Sequence, residues 1–482
     1  MFKTIAGSLN SQNLKTPALF FTLLGGAVLI AFLVGSQGYV VGALIFALLV
    51  GLPIIYKSVI DVHFGLYFLT WYSYFLFLIA RLLPVRLPMG VGVELLELVL
   101  LIGILVAESR QKKKIDWSNF NNPVTYIFIF LQTYNVLQVF NPSAISLAGW
   151  FVSTRGIIFD ILICFILVKL FTSLQVVINF TKVWLFLSLL AALYGIYQEI
   201  FGYADFEWRD IYSAPGTIFL IQNWGILRKF SFLSDVAAFG ICMAYSAIFC
   251  AVLAMSNHLG WQKRVILMIS ALLMLVAMSF SGTRTATAMI PAGACMYIIM
   301  NINNRRTLII LFCLIIGFLA ILYGPFYGTS ISRIRTTFQS KQDESMNVRE
   351  YNRARAQPLI RNHPIGWGVN TTDSEGEALS PGHLFAGFPT DSGYLKIAIT
   401  IGWIGLMIVM TLYFTVIATG VKNFYATTDP LIKSLYGAYI AAFFSLIVAN
   451  FAQSALWQKP TGLLVFSIFV LMPNLIKLER KV

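Results

Sequence analysis

The chain has 482 residues, of which 58% are hydrophobic and only 11% are charged, far below the charge content of a soluble domain. This composition excludes a soluble enzyme, a disordered tail and a nucleic-acid module, and it predicts an all-α polytopic membrane protein. The net charge of +14 does not indicate nucleic-acid binding, because the positive residues lie singly or in short clusters between apolar runs, as topology signals do.

Apolar runs of roughly 17–25 residues are long enough to cross the bilayer core as helices. About fourteen transmembrane helices (12–14) are predicted from such runs. In chain order they cover residues 17–35, 39–57, 63–81, 91–108, 123–141, 149–170, 180–201, 235–256, 264–282, 286–303, 307–324, 392–418, 433–452 and 460–477.

Lysine and arginine in the short loops predict the orientation, because cytoplasmic loops carry an excess of these residues. With both termini in the cytoplasm, the cluster at 110–114 and the pair Arg305-Arg306 fall inside. Two long polar segments then fall outside. The predicted division is an N-terminal bundle of about seven spans (1–201), an external loop (202–234), central spans (235–324), a large external loop (325–391) and C-terminal spans (392–482).

The large external loop has segregated charges. Its first half is rich in arginine, whereas no Lys or Arg occurs from Asn362 to its end at Asp391. The composition of 346–361 predicts a helix that Pro364 closes. A long external loop of this kind is more often functional than idle.

Four arginines are candidates for an anion site on the external side. Arg228 precedes the span at 235, Arg284 lies at the turn between two spans, and Arg349 and Arg353 lie on the predicted helix. Each guanidinium offers a bidentate fork, so a group of them suits a phosphate or pyrophosphate. Other interpretations stay open: Arg284 snorkelling to the interface, Arg228 solvated in a loop, and the helix arginines forming a wet face.

Two further ionisable groups lie on the external side. Asp391 opens the predicted span at 392, and His383 lies in the loop before it. Asp391 could act only as a helix N-cap, and a lone loop histidine is often incidental. Inside the bundle, Arg155 and Asp160 are predicted to form a structural charge pair.

Three motifs on the predicted external side share an order with a known family. They are Ser281-Gly282-Thr283-Arg284, then Pro364-Ile365-Gly366-Trp367-Gly368 after the arginine-rich helix, then Asp391-Ser392-Gly393-Tyr394-Leu395. Over about residues 225–410 this pattern resembles the bacterial O-antigen ligase and O-antigen polymerase superfamily. The family's histidine would fall at Asp391, with Ser392 in place of Asn, so the base is either Asp391 or His383. A carboxylate fits polymerase-like members better.

The resemblance implies a glycosyltransferase of the bacterial inner membrane, acting in exopolysaccharide, capsule or O-antigen assembly. It would transfer a glycan from undecaprenyl pyrophosphate, or a similar polyprenyl pyrophosphate, to an acceptor sugar hydroxyl at the external face. The implied partners are the lipid-linked oligosaccharide, the bilayer, a chain-length regulator and a flippase. No metal or cofactor is expected, because no Asp-x-Asp motif lies at an external site. The alternatives are a ligase acting on a lipid A-core acceptor and, from a different class, a transporter or flippase of lipid-linked sugars.

Overall fold

The computed structural model describes residues 39–83, 88–111, 117–213, 217–223, 226–256, 258–305, 323–325 and 344–479, and the single residues 309, 316 and 319. Within them the protein is a helical bundle with one antiparallel pair of two-residue strands, β1 (Gln222–Asn223) and β2 (Ile226–Leu227). The helices are α1 (Tyr39–Ile60), α2 (Val62–Leu82), α3 (Gly90–Gln111), α4 (Pro123–Val136), α5 (Leu147–Leu170), α6 (Leu174–Phe201), α7 (Asp205–Ser213), α8 (Thr217–Ile221), α9 (Val236–Ala254), α10 (Trp261–Ser281), α11 (Arg284–Met300), α12 (Glu344–Asn362), α13 (Asp373–Leu379), α14 (Gly393–Thr400), α15 (Gly402–Ala426), α16 (Pro430–Ala449) and α17 (Thr461–Glu479).

Nine helices in the described part of the chain are long and apolar enough to cross a membrane. They are α2, α3, α5, α6, α9, α10, α15, α16 and α17. The chain is therefore a multi-pass helical membrane protein, as its composition predicts. The count of fourteen spans stays a prediction, since the run at 17–35, and nearly all of 307–324, lie outside the described residues.

Several apolar helices begin directly after a polar residue that acts as their N-cap. The side chain of Asp61 accepts hydrogen bonds from two backbone amides of α2, and Asn122, followed by Pro123, accepts one from α4. Ser146, Ser173, Asp235 and Asp429 begin four further helices in the same way. Each cap satisfies a backbone donor that the first helical turn leaves without a partner.

Two helices form the centre of the bundle. In α9 and in α17 the most apolar 18-residue window is 89% buried, whereas the corresponding windows of α3, α5 and α10 are only 28% buried. Small residues let the central helices approach their neighbours: a Cβ at Gly293 of α11 would lie 2.8 Å from Ile248 of α9. The peripheral helices leave apolar side chains exposed, as lipid-facing helices do.

The loops contact one another in two separate groups, one at each end of the bundle. At the end called here the site end, Arg81 of α2 binds Asp210 of α7, and Asn141 binds the carbonyl of Gly366. At the opposite end, Lys169 binds Glu108 and Tyr425 binds the carbonyl of Met300. This grouping brings 202–234 and the described part of 325–391 to the same end.

The predicted span 392–418 is wrong in one respect, because its helix is interrupted. The short helix α14 ends at Thr400 and α15 begins at Gly402, whose φ is +75°. Turn 364–368 fills the break: Trp367 donates its backbone N–H to Ile399, and Gly368 donates to Thr400. A Cβ at Gly402 would collide with the Pro364 carbonyl, so only glycine fits there. The interruption is not visible in the sequence, because the apolar run continues through residues 400–402.

Three other predicted details need correction. The helix at 180–201 begins earlier, at Leu174, and α4 is only 14 residues long before a 3₁₀ turn at Leu137–Phe140. The predicted pair of Arg155 and Asp160 does not form, because the Arg155 Nη2 atom lies 3.4 Å from Glu94. Residues i and i+5 point to different faces of a helix, so Arg155 finds its partner on the neighbouring α3.

Candidate functional site

The Arg228 side chain, from the loop before α9, contacts the turn between α10 and α11. Its Nε donates to the Ser281 carbonyl at 2.8 Å, and its Nη2 donates to Thr283 Oγ1 at 3.2 Å. The neighbouring Lys229 donates its backbone N–H to Phe280 at 3.0 Å. These bonds hold loop 228–231 against turn 280–283, so two segments far apart in the sequence lie side by side at the site end.

Buried polar residues fix the loop that carries Arg228. The Arg81 guanidinium, only 8% exposed, donates to the carbonyls of Leu233 and Ser234 and lies 4.3 Å from the centre of the Phe230 ring. Gln198 accepts the backbone N–H of Ser231 at 2.8 Å. A buried Arg is costly unless it is bonded in this way, so Arg81 indicates a rigid loop. In the sequence, Arg81 is only a positive residue at the end of an apolar run, and nothing there indicates these contacts.

Arg284 is the first residue of α11. The preceding Gly282 adopts a left-handed conformation, with φ of +58°, and Thr283 is the N-cap. Arg284 therefore stands at the N-terminal end of a helix, where the positive end of the helix dipole favours an anion. Arg349 of α12 is near enough for the two positive charges to repel each other. An anion bound by both guanidinium groups would offset that repulsion.

Arg349 also contacts the candidate base. Its Nε atom lies 3.7 Å from Asp391 Oδ2, and the two side chains are 33% and 41% exposed. Asp391 is not the N-cap that the sequence allowed: Ser392 caps α14, its Oγ accepting the backbone N–H of Leu395. The carboxylate of Asp391 is thus not used by the helix, and it lies beside Arg349.

Arg353 lies one turn further along α12 but has a different partner. Its Nη2 donates to the Phe451 carbonyl at 3.0 Å, and its guanidinium stacks on the Phe451 ring at 4.3 Å. The structure therefore brings together Arg228, Arg284, Arg349 and Asp391, and it directs Arg353 to the loop after α16.

His383 is buried in an aromatic cluster of the loop, at 8% exposure. Its Nδ1 accepts the backbone N–H of Phe385 at 3.1 Å, and its ring meets Trp367 edge to face at 6.0 Å. Burial lowers the pKa of His383 below its ordinary value. A buried ring whose Nδ1 already accepts a hydrogen bond is poorly placed to act as a general base.

Turn 364–368 and the acidic part of the loop are fixed to the bundle. Gln138 and Asn141 donate to the carbonyl of Ile365, and Asn370 donates to Gly149. Lys396 of α14 pairs with Asp373 and Glu375 of the loop. Among the described residues, no three His, Cys, Asp or Glu side chains are grouped so as to hold a metal ion.

A comparison with known protein families finds a match for one segment of the chain. Residues 269–410 match the family model for O-antigen ligase. This segment contains turn 281–284, α12, the loop and Asp391, and the match confirms the resemblance to the O-antigen ligase and polymerase superfamily that the motifs indicate. No curated protein matches the chain. The protein is thus a multi-pass membrane protein whose residues 269–410 are similar to the O-antigen ligase family.

The environment of His383 predicts a pH-dependent loop. Because its folded pKa is lowered, the folded loop binds fewer protons than the unfolded one near the ordinary value of 6.5, so stability falls as pH drops through that value. We expect proteolysis within 363–390 to be faster at low pH than at neutral pH. His383→Asn, whose Oδ1 can replace Nδ1, should remove this dependence, whereas His363→Asn should keep it. Unchanged pH dependence in His383→Asn would contradict the assignment.

Proposed function

We propose that the protein is a glycosyltransferase of the O-antigen polymerase type, which transfers a polyprenyl-pyrophosphate-linked glycan to an acceptor sugar hydroxyl. One observation carries the proposal: Arg228, Arg284, Arg349 and Asp391 gather at one end of a membrane bundle. Three of these four residues lie within the segment that matches the O-antigen ligase family. The substrate class, the external face and the polymerase activity are part of the proposal.

The arginines serve the donor. As the bond between the anomeric carbon and the pyrophosphate oxygen breaks, negative charge grows on the leaving group, and fixed guanidinium groups stabilise it. Arg228 is held by Ser281 and Thr283, and Arg284 adds the N-terminal end of α11. Arg353 has its own partners on Phe451, so we assign it to holding α12 rather than to the pyrophosphate.

Asp391 serves the acceptor. The acceptor hydroxyl attacks the anomeric carbon, a new C–O bond forms, and the proton of the hydroxyl passes to the Asp391 carboxylate, as carboxylates do in other glycosyl chemistry. His383 is the weaker candidate because its Nδ1 accepts the Phe385 N–H and its ring is buried. A carboxylate base favours the polymerase branch over the histidine-dependent ligases.

The proposed location is the bacterial inner membrane, with the site end outside and both termini in the cytoplasm. A flippase would deliver the lipid-linked unit to this face, and a chain-length regulator would be a further partner. The grouping of 202–234 with the large loop supports the proposal, because both must share one side.

Cysteine labelling tests this orientation. The five native cysteines are first replaced, and single cysteines are introduced at the exposed Ser213 and Ser374 of the site end. Both should react with a membrane-impermeant maleimide in intact cells. The control Ser118→Cys, exposed at the opposite end, should react only after permeabilisation. The reverse pattern would overturn the orientation.

Purified protein in proteoliposomes tests the function itself. A lipid-linked repeat unit should give a ladder of longer lipid-linked glycans and free polyprenyl pyrophosphate. A single transfer to a lipid A-core acceptor would identify the ligase instead, and movement of unchanged substrate across the bilayer would identify a transporter. We favour the enzyme over the transporter, because turn 364–368 fills the break between α14 and α15, where a transporter would line a substrate cavity.

A further inference from the structure

The end of α16 and the residues after it, 447–451, form what we call the docking segment. The segment contacts the motif that carries Asp391. The backbone N–H of Gly393 donates to the Asn450 carbonyl at 3.0 Å, and the Tyr394 hydroxyl donates to the Ile447 carbonyl at 2.7 Å. Asp391 is two residues from Gly393, so its backbone position depends on these bonds.

The same segment holds the helix that carries Arg349. Arg353 binds the Phe451 carbonyl and stacks on the Phe451 ring. Arg353 and Arg349 are four residues apart on α12 and therefore lie on one face of the helix. The docking segment thus contacts both chain segments that carry the ion pair between Arg349 and Asp391.

Asn450 gives the docking segment its shape. Its side chain is buried, at 1% exposure, and its Oδ1 accepts the backbone N–H of Ala455 at 3.2 Å. The side chain packs directly on Gly393: a Cβ there would lie 2.8 Å from Nδ2 and would collide with Oδ1. This contact fixes how closely the motif 391–394 approaches α16.

We propose that Asn450 and Phe451 are positioning residues that set the spacing between Asp391 and the arginines. The inference rests on the proposed function, and it extends the site beyond 269–410, the segment that matches the O-antigen ligase family. Asn450 and Phe451 need not touch substrate. They act through Gly393 and Arg353, whose positions determine whether the base meets the acceptor hydroxyl while the arginines hold the donor.

A double-substitution experiment tests the contact. Gly393→Ala should lower turnover by about 100-fold, since small misplacements of reacting groups cost about that much. Asn450→Ala, which loses one hydrogen bond, should lower it about fivefold. The double variant should recover to within about tenfold of wild type, because removing the Asn450 side chain makes room for the new Cβ. The proposal would be overturned if the double variant lost activity by the product of the two single losses. Full activity of Gly393→Ala would overturn it as well.

Donor affinity distinguishes a misplaced Asp391 from a general loss of folding. Misfolding would lower both affinity and turnover, whereas misplacement of Asp391 should lower turnover alone. Titration with polyprenyl pyrophosphate should give the same affinity, within about threefold, for wild type and Gly393→Ala, because Arg228 and Arg284 are untouched. A parallel fall in affinity and turnover would overturn the positioning role.

Cross-linking separates this inference from the proposed function. In a cysteine-free background, a short bismaleimide should join Arg349→Cys to Asp391→Cys efficiently, and adding Phe451→Ala should reduce the yield. The control Phe414→Ala, at a residue 73% exposed on α15, should leave the yield unchanged. A yield insensitive to Phe451→Ala would overturn the inference even in an active enzyme, whereas an inactive wild type with a sensitive yield would overturn only the proposed function.

Discussion

Arg284→Ala is expected to abolish polymer formation while the protein remains in the membrane. Arg284 opens α11 beside Thr283, which binds Arg228, and it faces the like charge of Arg349. Removing one charged donor from such a site costs about 2–4 kcal/mol of transition-state stabilisation, on the order of a hundredfold or more in rate. Formation of glycan ladders in cells, measured alongside membrane abundance, checks this result.

Two further variants serve as a conservative substitution and a control for Arg284→Ala. Arg284→Lys should restore activity only in part, because an ammonium lacks the bidentate fork. Arg305→Ala, an exposed arginine at the opposite end, should be fully active. If Arg284 only snorkels to the interface, the Lys variant will be fully active and the Ala variant mildly unstable, and Arg284 then leaves the proposed pyrophosphate site.

Asp391→Asn is expected to be folded and inactive. Asn has nearly the shape of Asp but cannot accept a proton from the acceptor hydroxyl. The helix start is unaffected, because Ser392 caps α14. The lost ion pair with Arg349 is partly exposed, and pairs of this kind contribute only about 0–1 kcal/mol. Thermal unfolding of the purified variant should therefore match wild type within a few degrees, while glycan transfer is undetectable.

His383→Ala separates the two candidate bases. The variant should be impaired but measurable, because it loses the Phe385 contact and part of the aromatic packing rather than the base. An active Asp391→Asn together with an inactive His383→Ala would move the base to His383. That result would also move the enzyme towards the ligase branch.

The sequence predicted the parts of the site that depend on local pattern. Pro364 closes the predicted helix 346–361 and α12 ends at Asn362, because proline disfavours helix in the residue before it. The distribution of apolar runs predicted that Arg228, Arg284 and the large loop share one side, and their contacts agree.

Contacts between distant segments were not predictable in the same way. Arg349 and Arg353 look equivalent in the sequence, yet one meets Asp391 and the other Phe451. The apolar run at 392–418 gives no sign that turn 364–368 enters the helix at Gly402. Asn450 follows an ordinary apolar helix in the sequence, and only the structure reveals its contact with Gly393.

Binding and transfer, measured on the same samples, test the central assignment most directly. Wild type, Arg284→Ala and Asp391→Asn in nanodiscs would be titrated with polyprenyl pyrophosphate and then supplied with lipid-linked repeat units and acceptor. This assignment of roles predicts that Asp391→Asn binds the pyrophosphate as wild type does but transfers no glycan, and that Arg284→Ala loses binding. Wild-type affinity in Arg284→Ala, or glycan transfer by Asp391→Asn, would contradict it.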